Sequence, residues 1–186
     1  MKLIVKNSLL GSILALLILS CNQKTDSERI DTGDNIFLER EYYDGSGSIR
    51  TEYRNYKDSN IFVINYRPDG SLSGIVFSQL SDTNFEALYF HSNGRLKSKI
   101  MYNLNSENEE GPAFYYYHSG HLKEKSMFQN GVQQGEGYEY WDTTGIIKTA
   151  IYYGGYYRDG YRYQASYSRD GVLIKEEGDT VNISLE

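Results

Sequence analysis

His118 and His121 stand three residues apart in "YYHSGHLKEK", a spacing that would begin a metal site if the segment were helical. Here they straddle a polar turn around Ser119 and Gly120, where the two side chains need not converge. No cysteine or third ligand accompanies them, so no metal and no cofactor are expected. His91 occupies a similar turn upstream. Ser92 and Ser119 each adjoin a histidine, but a nucleophilic serine also needs a third group to orient its base and donors for an oxyanion. The sequence suggests neither, and no catalytic residue is assigned. Glu107, Glu109 and Glu110 form the densest acidic group, in a stretch (105–110) that reads as a solvated loop. The glycines of "NGVQQGEGYEYWDTTGIIKTAIYYGG" (130–155) match a phosphate loop in density alone. Such loops lead from a strand into a helix, and no helical periodicity follows.

Aromatic content carries the serious binding signal. The chain has 19 tyrosines among 186 residues, and seven of them (152, 153, 156, 157, 161, 163 and 167) crowd into "AIYYGGYYRDGYRYQASY". Neighbours along a strand point to opposite faces, so paired tyrosines place one ring on each side of a sheet. A single-layer sheet leaves some rings exposed, and exposed rigid tyrosine suits contacts with proteins or sugars. Tyr153, Tyr156, Tyr157, Tyr161 and Tyr163 are the candidate binding residues. Cross-strand aromatic pairing that only stabilises the sheet is the competing reading.

The elements that must position these side chains repeat. Anchoring on a turn glycine aligns Gly47, Gly70, Gly94, Gly120, Gly145 and Gly171. Four residues before each stand Tyr43, Tyr66, Phe90, Tyr116, Trp141 and Tyr167; two after stand Ile49, Leu72, Leu96, Leu122, Ile147 and Leu173. Asp, Asn and Ser in these turns favour side-chain-to-backbone closure, and the return segments alternate in polarity as in "GRLKSKIMY". The pattern predicts an all-β fold: an elongated, twisted antiparallel sheet of about six stacked β-hairpins over residues 36–180, followed by a tail at 181–186. The segment 34–43 is expected to supply the opening strand, and the charges of "KEEGD" to protect the last edge.

This unit resembles a MORN-type repeat, in the bacterial variant of the YwqK-like antitoxin family. Gly135 and Gly137 match its paired glycines, Tyr138 and Tyr140 its aromatics, and Asn130-Gly131 its turn. The first two units lack the paired glycines. The resemblance implies a non-catalytic fold that binds a protein partner, and raises the alternative of an immunity protein neutralising a toxin. At the N-terminus, Lys2 and Lys6 precede an apolar run that ends in Ile18-Leu19-Ser20-Cys21. The layout is that of a secretory signal over residues 1–20, and its end resembles the lipobox of bacterial lipoproteins. That resemblance implies acylation of Cys21 by fatty acids such as palmitate and attachment to a cell-envelope membrane, with Asn22 favouring the outer one. Cys21 is the single cysteine, so an exported chain has no internal disulfide. Residues 21–35 read as a flexible tether. Without residues 1–20 the chain carries 17 basic and 25 acidic side chains, a balance that argues against nucleic acid as a partner. The expected function is therefore a lipid-anchored, periplasmic or surface-exposed scaffold, whose contacts come from outward tyrosines and the acidic stretch, with glycan binding as a lesser possibility.

Overall fold

Period-two alternation between turn signals resolves into strands throughout the computed structural model, which describes residues 27–31, 36–56, 60–79, 83–153 and 163–178. The signal segment 1–20, Cys21, Tyr156, Tyr157, Tyr161 and the tail 181–186 lie outside the described residues. The strands are β1 (Ser27–Asp31), β2 (Ile36–Tyr42), β3 (Ile49–Tyr56), β4 (Asn60–Tyr66), β5 (Leu72–Gln79), β6 (Asn84–Phe90) and β7 (Leu96–Asn103). They continue as β8 (Glu109–Tyr116), β9 (Leu122–Gln129), β10 (Val132–Gln133), β11 (Gly135–Tyr140), β12 (Ile147–Tyr153), β13 (Tyr163–Tyr167) and β14 (Leu173–Gly178). They form one antiparallel sheet in chain order, with β10 paired only to β9, and no helix occurs among the described residues. The all-β hairpin fold expected from the repeat is the fold observed.

Two findings correct the expected layout. Residues 27–31, assigned above to the tether, pair with β2 from Ser27↔Glu41 to Asp31↔Phe37, so β1 and not the 34–43 segment is the first described strand. A short polar strand of this kind holds through ladder hydrogen bonds and edge contacts, here the Tyr42 hydroxyl donating to Glu28 at 2.7 Å, and leaves no apolar signal to read. Glu109 and Glu110 belong to β8, not to a loop; only Glu107 stays in the turn, at φ 59°.

The chain divides into two compact units, 1–87 with 102–108, and 88–101 with 109–186. In the first, β4 and β5 bury Ile61, Val63 and Val76, with Val63 opposite Val76. Burying each such side chain contributes roughly 1.5–3 kcal/mol. Phe85 is buried too, with its ring stacked on Tyr102 at 5.2 Å. On the face opposite Val63, Phe62 and Phe77 pair at 4.8 Å, and the Glu52 carboxylate is only 3% exposed. Burial alone would raise its pKa. Arg40, at 2.9 Å, and Arg54, at 2.6 Å, overcome that and hold it below the usual carboxylate range.

In the second unit the most buried positions are small: Ala113, Ala150 and Ala165 at 0–1% exposure, with Ser98, Ser126 and Gly137 also buried. Tyr138 pairs with Ala150, which pairs with Ala165 on the same face. No large side chain among the described residues is fully buried. Over one of these small residues, Gly137, lies the Tyr153 ring, 3.4 Å from where a Cβ would stand, so a tyrosine contributes the apolar cover there.

The six anchor glycines all have positive φ, from 66° to 94°, the left-handed region that side chains disfavour. Ser46, Asp69, Asn93, Ser119 and Thr144 each accept the backbone N–H two residues on, at 2.9–3.3 Å. Ile49, Leu72, Leu96, Leu122, Ile147 and Leu173 each open a return strand. The aromatic register needs correction. Four hairpins close through a three-residue turn ending in Gly70, Gly94, Gly120 or Gly171, with pairs such as Arg67 N–H to Ser71 O at 2.8 Å. The other two close one residue longer, Tyr43 to Ser48 and Trp141 to Ile146, both at 2.9 Å. Tyr43 and Trp141 are therefore hairpin-closing residues. The last strand position holds Tyr42, Tyr66, Phe90, Tyr116, Tyr140 and Tyr167, aromatic throughout. Five of these face the Ile or Leu that opens the next strand, across a register shift typical of a bulge: Tyr42–Ile49, Tyr66–Leu72, Tyr116–Leu122, Tyr140–Ile147 and Tyr167–Leu173.

Candidate functional site

Two surfaces of the second unit concentrate side chains that can do chemistry. The first is a strand face. Register places Tyr115 opposite Glu124, Glu124 opposite Glu139, and Glu139 opposite Thr149. Glu109, Gly111, Ala113, Ser126, Gly137 and Tyr153 share that face by strand alternation. The small residues make its floor, and the Tyr153 ring lies over Gly137, where an added Cβ would stand 3.4 Å from it. Tyr153 is thus half-buried, and its neighbour Tyr152 points to the opposite side. Burial pushes the Tyr115 phenol up to about 12, assisted by the charges of Glu109 and Glu124. Burial also raises the Tyr153 phenol, with Glu124 and Glu139 adding to it, and the Glu109 carboxyl, with Glu124 adding to it. Glu124 accepts hydrogen bonds from Ser126 Oγ at 2.7 Å and Gln133 Nε2 at 3.5 Å, both neutral. Glu139 is paired with Lys148 Nζ at 3.1 Å, and the remaining carboxylates, edged by phenol rings, suit lysine or arginine through charge and through cation–π contact.

Of the other candidate tyrosines, Tyr163 sits in β13 with its hydroxyl donating to Glu176 at 2.9 Å. Tyr156, Tyr157 and Tyr161 lie outside the described residues. Tyr115, Glu124 and Glu139 were missed by the sequence reading, which had Glu109 only as part of an acidic loop. Their common face depends on register across β8, β9 and β11, set between the first two by the turn that Tyr117 and His121 close, and between β9 and β11 by the NGVQQG segment with its tight Asn130-Gly131 turn and a break before Gly135.

The second surface is the edge formed by the hairpin turns. Closing residues reach one repeat onward to a backbone carbonyl: His91 Nε2 to Tyr116 at 3.0 Å, Tyr117 Oη to Tyr140 at 2.8 Å and Trp141 Nε1 to Tyr167 at 3.3 Å. Within the first unit, Tyr43 Oη reaches the Tyr66 carbonyl at 2.8 Å. The repeat aromatics Tyr43 and Trp141 are thus rungs between turns. Arg169 also stands 5.2 Å from the Trp141 ring centroid. The histidines diverge, as the turn reading anticipated. His118 packs its ring on His91 at 4.3 Å, whereas His121 turns to Asp142. Among the described residues no group of three His, Cys, Asp or Glu could hold a metal ion.

The structure does supply the third group that the sequence did not suggest beside Ser119. Asp142 meets both Ser119 and His121, 23 and 21 residues away. The wiring is unlike a catalytic relay. Ser119 donates to the Asp142 carboxylate instead of to an imidazole, so Asp142 is a shared acceptor and no base is set against the hydroxyl. Beside this trio a depression of about 290 Å³ is lined by His121, Leu122, Tyr140, Thr143, Thr144 and Gly145.

No family model matches the chain, and no curated protein does. Among solved structures, the crystal structure of TarM is similar over 78% of this chain and 22% of that chain, at 9% identity and a TM-score of 0.33. The chain thus spans less than a quarter of that protein's length, and a likeness this low carries no argument about function.

Proposed function

We propose that the chain is a non-catalytic binding module of the bacterial cell envelope, held to a membrane, more often the outer one, through acylated Cys21. Its partner is a protein that presents basic side chains to the face bearing Tyr115, Tyr153, Glu109, Glu124 and Glu139. The observation that supports this most is the clustering of three carboxylates and two half-buried phenols on one sheet face floored by glycine, alanine and serine. The layout of residues 1–21 and the MORN-like unit agree with it.

The test uses the full chain in mild detergent, cross-linked in native envelope extract. A stoichiometric partner retained by the wild type, lost with Glu124→Gln or Tyr153→Ala and kept with Tyr53→Phe supports the reading. A partner indifferent to the first two variants contradicts it. Cys21→Ser should abolish fatty-acid labelling; unchanged labelling would sink the anchor.

A further inference from the structure

We propose that the depression on the turn edge is a saccharide subsite, built to take a vicinal diol of one sugar ring. It arises from a mismatch between consecutive hairpins. The fourth turns through three residues, His118 to Gly120, and the fifth through four, Asp142 to Gly145. The extra residue opens a space of about 290 Å³ beside His121, at the small end of small-molecule sites. Leu122 and Tyr140, residues of the repeated aliphatic and aromatic positions, give it apolar surface suited to the C–H face of a pyranose.

The polar groups around it are set in complementary states. His121 Nδ1 meets two acceptors of Asp142, its carbonyl and, at 3.4 Å, its carboxylate, so Nδ1 carries the proton. In its neutral form His121 then presents Nε2 as an acceptor. The Thr144 hydroxyl already accepts the Ile146 N–H at 3.3 Å, which leaves its own hydrogen to donate. Asp142 is anchored in turn by Ser119. In the proposed pose adjacent ring hydroxyls meet these two groups, one donating to His121 and one accepting from Thr144, beside the apolar surface of Leu122 and Tyr140 and with Thr143 alongside. An anion fits poorly, because the Asp142 carboxylate stands beside the one imidazole.

Isothermal titration of the full chain in detergent with N-acetylglucosamine, galactose and trans-1,2-cyclohexanediol should give saturable heats for at least one sugar and for the diol. Cyclohexanol, with one hydroxyl, should bind at least about tenfold more weakly, the scale of one lost hydrogen bond. Thr144→Val and His121→Ala should each weaken sugar binding by about tenfold, while His118→Ala leaves it unchanged. All three are exposed turn positions, and a wild-type circular-dichroism spectrum verifies folding. Absence of saturable binding by any probe, equal binding of cyclohexanol, saturation by inorganic phosphate alone, or indifference to both variants each overturns the proposal. Its failure leaves the strand-face partner untouched, because His121 and Thr144 lie in turns outside the strands that bear that face.

Discussion

The two units share one turn chemistry and differ in what they bury. In the first, branched aliphatics and Phe85 fill the space beside the strands, and Glu52 sits between two arginines. In the second, the same hairpins bury Ala113, Ser126 and Gly137 on the face of the tyrosines and glutamates, and Ala150 and Ala165 on the other. The architecture is therefore specified by its turns, and its interior chemistry is free to vary. A floor of small residues keeps phenols and carboxylates at the surface, where a partner can reach them.

Opposite substitutions should hurt the two units. Phe85→Ala removes a buried ring stacked on Tyr102 and should cost about 3–5 kcal/mol in urea unfolding, whereas Tyr153→Ala, which uncovers only Gly137, should cost well under half as much. Equal losses would erase the distinction. Enlargement reverses the order: Ala113→Leu should destabilise by about 2 kcal/mol through overpacking, while Val76→Ile, at a site already holding a branched chain, should cost less.

The shared part has its own matched pair. Gly70 and Gly94 have φ of 81° and 79°, and neither would bring a Cβ within 4 Å of anything. Gly70→Ala and Gly94→Ala should each cost about 1–2 kcal/mol, from backbone strain alone. A large difference between them would mean that the turns are not equivalent.

The smallest effect concerns pH. The fold keeps Tyr115 neutral up to about 12, while in the unfolded chain a tyrosine ionises near 10. Its contribution is intact below about pH 10 and is lost as the pH rises towards 12. Tyr115→Phe should flatten that decline in an alkaline melting series; an unchanged slope would show that the phenol is not held neutral.

The turns were legible in sequence because their cause is local: a glycine at positive φ, a side-chain acceptor one residue before it, and an aliphatic residue two after. Counting from the glycine blurred Tyr43 and Trp141 with the last strand position, because a four-residue turn and a three-residue turn look alike when both end in glycine. Asp142 beside Ser119, and Glu124 among Glu109, Glu139 and Tyr115, were not legible. Those meetings depend on register across hairpins, and a shift of one residue sends a side chain to the other face. β1 escaped notice because a polar edge strand has no apolar alternation to betray it.

Hydroxyl-radical footprinting of the full chain, purified in detergent and again within native envelopes, tests the central claim most directly. Occupation of the second unit's strand face predicts that Tyr115 and Tyr153 become protected in the envelope while Tyr53 and Phe62 of the first unit react unchanged. Equal labelling of Tyr115 and Tyr153 in both settings, or protection confined to the first unit, would contradict it.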